Sequence, residues 1–287
     1  ALQCFVNEFI YWETNDEKVA LKNLEDNIQS SLSNNETPNA YDLVCIASYR
    51  GLGNYSWAMK IRPPKELESL FKHQVCDRKI ELLIKQNLPQ LAPINNKVSR
   101  TVQRQYEENP YPRWIYTKLE AEPQTIGQVA SKLELKIASE LNTKSSPQIL
   151  VAGCGTGRHA LQTARRFRDS FVTAVDLSLS SLAYAKRKSD ELGFTNIEFI
   201  QADILDLGAL SRKFDIVESA GVLHHMARPL EGWRVLSDCL KFGGLMRIGL
   251  YSELGRRQIP RAKEIFSEDD IGSTNEAILG LRRKIIE

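Results

Sequence analysis

No stretch of this 287-residue sequence approaches the roughly 18 apolar residues that a membrane-spanning helix needs. Even the greasy run Phe242–Tyr251 is broken by Arg247. Cysteine is scarce and scattered: Cys4, Cys45, Cys76, Cys154 and Cys239 are odd in number and form no Cys-x-x-Cys pair. The four histidines make no metal-ligand spacing with them, so neither a zinc site nor a disulfide framework is expected. Reduced thiols in a cytoplasmic protein are the expectation instead. A surplus of one charge is missing as well. The 38 basic and 36 acidic residues leave +2, and residues 1–100 hold twelve of each. Neither half is a basic arm, so a nucleic-acid partner is not expected, and nor is a membrane. The opening Ala-Leu-Gln-Cys lacks both an initiator Met and the basic-then-apolar layout of a secretory signal.

What is present suits a soluble globular chain longer than one ordinary domain of about 100–200 residues. Hydrophobic residues make up 42% and charged residues 26%, enough for a core and a solvated surface. Three regions are expected. Residues 1–99 read as helical, with Leu2, Phe5, Val6, Phe9 and Ile10 at helical spacing. Val19, Leu21, Leu24 and Ile28 follow a cap at Asn15 or Asp16, and a further helix is predicted from Pro64 to Gln86. No repeat period of 30–50 residues is visible there. Residues 100–122 pack Pro110, Pro112, Tyr106, Tyr111, Arg113 and Trp114 closely together and favour extended or turn backbone.

Residues 123–287 alternate between helix and strand. A helix over 125–141 precedes strand 148–152, a glycine loop and helix 158–167. Strand 171–175, helix 179–192, strands 197–201 and 214–218, helix 229–240 and strand 245–251 complete the pattern. Such alternation implies βαβ units and a mostly parallel sheet covered on both faces. The tail after Tyr251 reads as helices, over 260–266 and 275–286. With no initiator Met and no run for further strands, a fragment with an open fifth-strand edge is expected.

The chemistry gathers at strand ends. Gly153-Cys-Gly155-Thr-Gly157 joins the first strand to its helix, where open α/β sheets collect ligands. A dinucleotide fingerprint would need glycine or alanine at Arg158, and a phosphate-binding loop would need Gly-Lys-Ser/Thr, so both fail. Asp176 ends the second strand, where a carboxylate can accept from ribose hydroxyls. Asp203 ends the third, where one can accept from an adenine amino group beside an apolar shelf. The competing readings are a helix cap for Asp176 and a turn residue for Asp203.

Residues 145–252 resemble a class I S-adenosylmethionine-dependent methyltransferase. The likeness rests on Ile149–Gly157, Ala174–Ser178, Gln201-Ala-Asp203, Phe214–Val217 and Gly221-Val-Leu-His-His-Met226, in family order. It implies a Rossmann-like, doubly wound α/β fold preceded by the α-helical N-terminal region, with its C-terminal strands missing. S-adenosylmethionine would be the cofactor. Gly153, Cys154, Gly155, Thr156 and Gly157 would shape its methionine side, Asp176 and Leu177 would hold the ribose, and Asp203 and Ile204 the adenine. Ser219, Ala220 and Gly221 would pass near the sulfonium, and no metal is implied. The Glu218–Gly221 strand end departs from the Asn-Pro-Pro-Tyr type motif of enzymes that methylate base amines. The helical region with Tyr106–Trp114 is similar to bacterial methyltransferases that carry tetratricopeptide repeats upstream.

Methyl transfer from such a cofactor needs mainly alignment of nucleophile and methyl carbon. A base is required only where the acceptor must lose a proton, and His224 and His225 are placed to act as one. Tyr106, Asn109, Tyr111, Arg113 and Trp114 are the expected lid or acceptor wall, with an interdomain strap as the alternative. His73 and His159 are read as structural. The expected function is methyl transfer to a small molecule or protein. A non-catalytic cofactor-binding module or scaffold, or an RNA methyltransferase, is the alternative.

Overall fold

The computed structural model describes residues 1–7, 9, 13–120, 122–265 and 275–286. Its internal contacts divide the chain into two units, residues 80–251 and residues 1–79 with 252–287. The division therefore falls at Lys79/Ile80 and Tyr251/Ser252, and differs from the boundaries at 99 and 122 expected from sequence.

In the first-described unit, five strands form one parallel sheet. They are β1 (Gln148–Ala152), β2 (Phe171–Asp176), β3 (Ile197–Gln201), β4 (Phe214–Ala220) and β5 (Leu240–Gly249), in the order β3-β2-β1-β4-β5. Side chains of a strand alternate between faces, and both faces are apolar here. Ile149 and Val151 of β1 pack on one side with Ala160, Leu161 and Leu182, while Leu150 and Ala152 pack on the other with Leu207, Leu223 and Leu236. The near-continuous apolar runs of β1 and β2 are what a sheet covered on both faces requires. Its covers include α9 (Arg158–Arg166), α10 (Leu179–Glu191) and α11 (Pro229–Asp238), joined by loops at the strand ends. Strand order reverses at β1, which pairs with β2 on one side and β4 on the other.

Several expected bounds shift, each for a local reason. The helix expected over 125–141 is two helices, α7 (Ile126–Lys132) and α8 (Ser139–Asn142). Thr125 and Gln128 form a capping box at the start of α7, and Glu134, at a φ of +56°, ends it by letting Leu135 N–H reach back to the Ala130 carbonyl. The fifth strand starts at Leu240, five residues early, with an irregularity opposite Phe214–Ile216. A helix missed from sequence, α6 (Lys97–Glu108), starts at an Asn96 cap and carries Tyr106 in its last turn. Its apolar residues are too few for the pattern to register. Among the described residues no strand follows β5, and its edge opposite β4 is unpaired.

The other unit is helical, built from α1 (Leu2–Val6), α2 (Asn15–Ser33), α3 (Ala40–Tyr49), α4 (Glu68–Phe71) and the start of α5 (Asp77–Asn87). The cap of α2 is Thr14, closed by Glu17 in a capping box, in place of the expected Asn15 or Asp16. The helix expected from Pro64 is helical throughout but changes pitch, with a π-turn over Lys72–Cys76 between α4 and α5. That turn places Gln74 in the core, where it accepts from Leu52 N–H at 3.0 Å and donates to the Ala47 carbonyl at 3.0 Å. Leu21, Ile28, Leu43, Ile46 and Phe71 belong to the apolar core of this unit. The tail helices are α12 (Gln258–Ile265) and α13 (Asn275–Ile286). Ile10 and Phe266, expected as helix members, lie outside the described residues.

Candidate active site

A cavity of about 620 Å³ opens at the C-terminal ends of the strands. Its floor is the turn from β1 into α9. Gly155 has a φ of +52°, and a β-carbon built on it would meet only the Tyr111 carbonyl, at 3.9 Å. The backbone is thus bare toward the cavity. Gly157 has a φ of +83°, and a β-carbon there would lie 2.4 Å from the Ala185 β-carbon of α10. It lets α9 pack closely and does not line the cavity.

Asp176, at the end of β2, is tied into that floor. One carboxylate oxygen accepts from Gly155 N–H at 2.8 Å and the other from Ser178 N–H at 3.0 Å. Burial lifts its carboxyl above the usual range, against the lowering effect of those two N–H groups. The helix cap is Ser178, which accepts from Ser181 N–H, so Asp176 is free of that duty. Asp203 does cap the 3-10 turn Ile204–Leu210, accepting from Leu205 N–H at 3.1 Å, and it also lines the cavity. Asp203 is thus a turn-capping residue that also faces the cavity. Its second oxygen has no hydrogen bond among the described residues. Leu177, Ile204, Cys154, Thr156, Ala220 and Gly221 line the cavity as expected. Burial pushes the Cys154 thiol well above its usual range. Ser219, like Gly157, does not line the cavity, being 1% exposed within β4.

The Tyr106–Trp114 segment splits. Tyr106 and Tyr111 line the cavity, whereas Asn109, Arg113 and Trp114 do not. Trp114 is 5% exposed, packs edge-on against Tyr184 and donates from its indole to the Thr156 carbonyl at 3.1 Å. Thr156 in turn donates to the Pro112 carbonyl at 2.6 Å. The expectation of Trp114 as an acceptor wall is corrected: a ring that large gains more by filling the core than by facing solvent, and it braces the glycine loop from behind. Of the two candidate bases, His225 lines the cavity and His224 does not. The two rings contact each other, Nε2 to Nε2 at 3.1 Å, and His224 stacks on Tyr251 with centroids 3.7 Å apart.

Sequence reasoning missed three residues beside the cavity. Glu218 of β4 is 2% exposed and accepts from Thr163 at 2.5 Å and from His159 Nε2 at 2.9 Å. Arg247 Nη1 of β5 lies 3.5 Å from its other oxygen. Burial is the largest influence on Glu218 and works against its ionisation, but the bond and charge of His159, the Thr163 bond and the Arg247 charge together hold the carboxyl below the usual range. His159 and Arg247 line the cavity. The available signal was a glutamate following the apolar pair Ile216-Val217 within a buried strand, which needs a buried partner. Among the described residues no group of three His, Cys, Asp or Glu side chains could hold a metal ion.

The residues fit an adenosyl cofactor. A bare glycine backbone, a carboxylate in contact with it, and a second carboxylate with an unused oxygen beside Ile204 supply the acceptors that a ribose and an adenine amino group require. Comparison with known proteins agrees. Residues 149–244 match the family model described as a methyltransferase domain. The match covers about a third of the chain and makes this segment similar to methyltransferase domains. An uncharacterized protein of a Synechococcus species is 36% identical over 119 residues, 41% of this chain and 28% of that protein. The release factor glutamine methyltransferase of Chlorobaculum tepidum is 35% identical over 101 residues, 34% of each chain. The ubiquinone biosynthesis O-methyltransferase of Cereibacter sphaeroides is 29% identical over 119 residues, 42% of this chain and 47% of that one. The chain spans about a third of the length of the first curated relatives it matches.

Proposed function

We propose that this chain transfers the methyl group of S-adenosylmethionine to a small molecule or protein. The observation that carries the reading is the contact between Asp176 and Gly155 N–H, on a loop residue bare toward the cavity. When bound, the cofactor supplies an electrophilic methyl on a sulfonium. The chain's own residues do the rest. The 153–157 loop gives close backbone approach, Asp176 and Leu177 hold the ribose, and Asp203 with Ile204 orients the adenine. Ala220 and Gly221 border the reacting end, with Tyr106 and Tyr111 as walls that exclude water. His225 is the group that takes a proton if the acceptor must lose one.

Balanced charge supports an acceptor other than nucleic acid. A cytoplasmic setting accords with the scattered, unpaired cysteines. No helix among the described residues is long and apolar enough to cross a membrane. Kinship with methyltransferases that follow tetratricopeptide repeats belongs to this proposal and rests on the Tyr106–Trp114 segment. The test is incubation of the protein with methyl-labelled cofactor and fractionated cell extract. Label should enter one fraction in a small molecule or protein, and Asp176→Ala should reduce the transfer at limiting cofactor. Cofactor binding with no transfer to any fraction would leave a binding module, and transfer to RNA would replace the proposed acceptor.

A further inference from the structure

Charge around the cavity is divided by the sheet order. Asp176 and Asp203 follow β2 and β3, on one side of β1. On the other side, β4 and β5 carry Glu218 and Arg247, facing each other in register. The cavity-lining basic side chains Arg158, His159, Arg166 and Arg247 belong to α9 and β5. Arg228 lines the cavity too, but it is paired with Glu231 at 2.9 Å. Arg158 donates to a neutral partner, Thr117, at 3.2 Å, and neither it nor Arg166 has a carboxylate partner among the described residues.

One carboxylate stands behind this wall, and its geometry makes a built site. Glu218 is buried, so its oxygens are spent on Thr163, His159 and Arg247 rather than on a ligand. Its hold on His159 Nε2 fixes the ring and leaves Nδ1, which has no partner among the described residues and donates to an anion when the ring is protonated. Its contact with Arg247 is through Nη1 alone, and the guanidinium is 57% exposed. A guanidinium has five N–H donors in a planar fork, so four remain after that contact. His159 Nε2 and Arg247 Nη1 are 3.4 Å apart, which puts imidazole and guanidinium at one spot on the cavity wall. Fork geometry of this kind matches the two oxygens of a carboxylate or a phosphate.

We propose that the methyl acceptor carries an oxyanion, a carboxylate or a phosphate, that docks on Arg247 and His159 at the β4–β5 side of the cavity. This rests on the methyltransferase reading. Arg158 and Arg166 raise the positive potential along the approach, and a bound sulfonium adds to it. Glu218 is a positioning residue that aims the two donors. The oxyanion is a handle that orients the acceptor, and specificity follows because an uncharged analogue leaves the wall unsatisfied.

The test is calorimetric titration of the protein with inorganic phosphate and with acetate at low ionic strength, in the presence and absence of S-adenosylhomocysteine. At least one anion should bind saturably, and the one that does identifies the oxyanion. Arg247→Gln should weaken it about tenfold or more, and Arg247→Lys should fall between, keeping charge without the fork. Arg212→Gln removes a charge that is paired with Glu198 at 2.6 Å on the first turn before β4, and it should change nothing. Thermal melts of each variant check the fold. Saturation by neither anion overturns the proposal, as does equal weakening by Arg247→Gln and Arg212→Gln. Anion binding without any S-adenosylhomocysteine binding would support the anion site and count against the methyltransferase reading instead.

Discussion

Substituting alanine at two glycines of one loop should separate folding from ligand binding. At Gly157 the new β-carbon would sit 2.4 Å from the Ala185 β-carbon and 3.0 Å from its α-carbon, at a φ of +83°. A left-handed backbone costs an L-residue about 1–2 kcal/mol. Overpacking against a helix backbone that cannot yield adds roughly 1–3 kcal/mol. Gly157→Ala should therefore lose about 2–5 kcal/mol. At Gly155 the φ is +52° and only the Tyr111 carbonyl, at 3.9 Å, lies near the new methyl. Gly155→Ala should cost about 1–2 kcal/mol from the backbone alone, yet place its methyl where a ligand must approach. The assay is denaturant unfolding of both variants, paired with calorimetric titration of S-adenosylhomocysteine at a temperature where both are folded. The expected pattern is a stability loss larger at 157 and an affinity loss larger at 155. Equal stability losses, or unimpaired binding by Gly155→Ala, would refute the assignment of one glycine to packing and the other to the ligand.

The pH dependence of cofactor binding follows from Asp176. Its ionised form accepts ribose hydroxyls, and burial lifts its carboxyl, so affinity should fall on acidification at a higher pH than an ordinary aspartate would dictate. Titrations in Asp176→Asn should be weaker and flat over the same range. Trp114→Ala, which empties a core site and frees the Thr156 carbonyl, should cost about 3–5 kcal/mol in denaturant unfolding. Tyr111 is 59% exposed, so Tyr111→Ala should leave stability within about 0.5 kcal/mol and alter binding or turnover. The reverse ranking of these two would return Trp114 to the acceptor wall.

Much of the sheet unit was legible because period and punctuation agree there. The apolar run Ile149–Ala152, a glycine loop and the helix that follows it leave few alternatives, and the starts of four of the five strands fall where the pattern puts them. β5 begins early because Leu240–Gly244 carries two glycines and no alternation, so only pairing with Phe214 reveals it. The cofactor-side residues were legible for a related reason: each lies at a strand end, where the chain itself fixes position. The Glu218–His159–Arg247 cluster was not, since its members come from three elements separated by long stretches of chain and no local spacing links them. Trp114 misled because an aromatic in a proline-rich segment reads alike on a lid and under a strap. Only its hydrogen bond to Thr156 and its burial decide.

The central claim is that the 153–157 loop with Asp176 and Asp203 forms an adenosyl-methionine site. Calorimetric titration of the protein with S-adenosylhomocysteine and with NAD, repeated on Asp176→Ala, tests it most directly. The account predicts saturable binding of S-adenosylhomocysteine, weakened by about 1–3 kcal/mol in the variant through loss of a charge-assisted acceptor. Binding of NAD tighter than that of S-adenosylhomocysteine, or S-adenosylhomocysteine binding indifferent to the loss of Asp176, would contradict it.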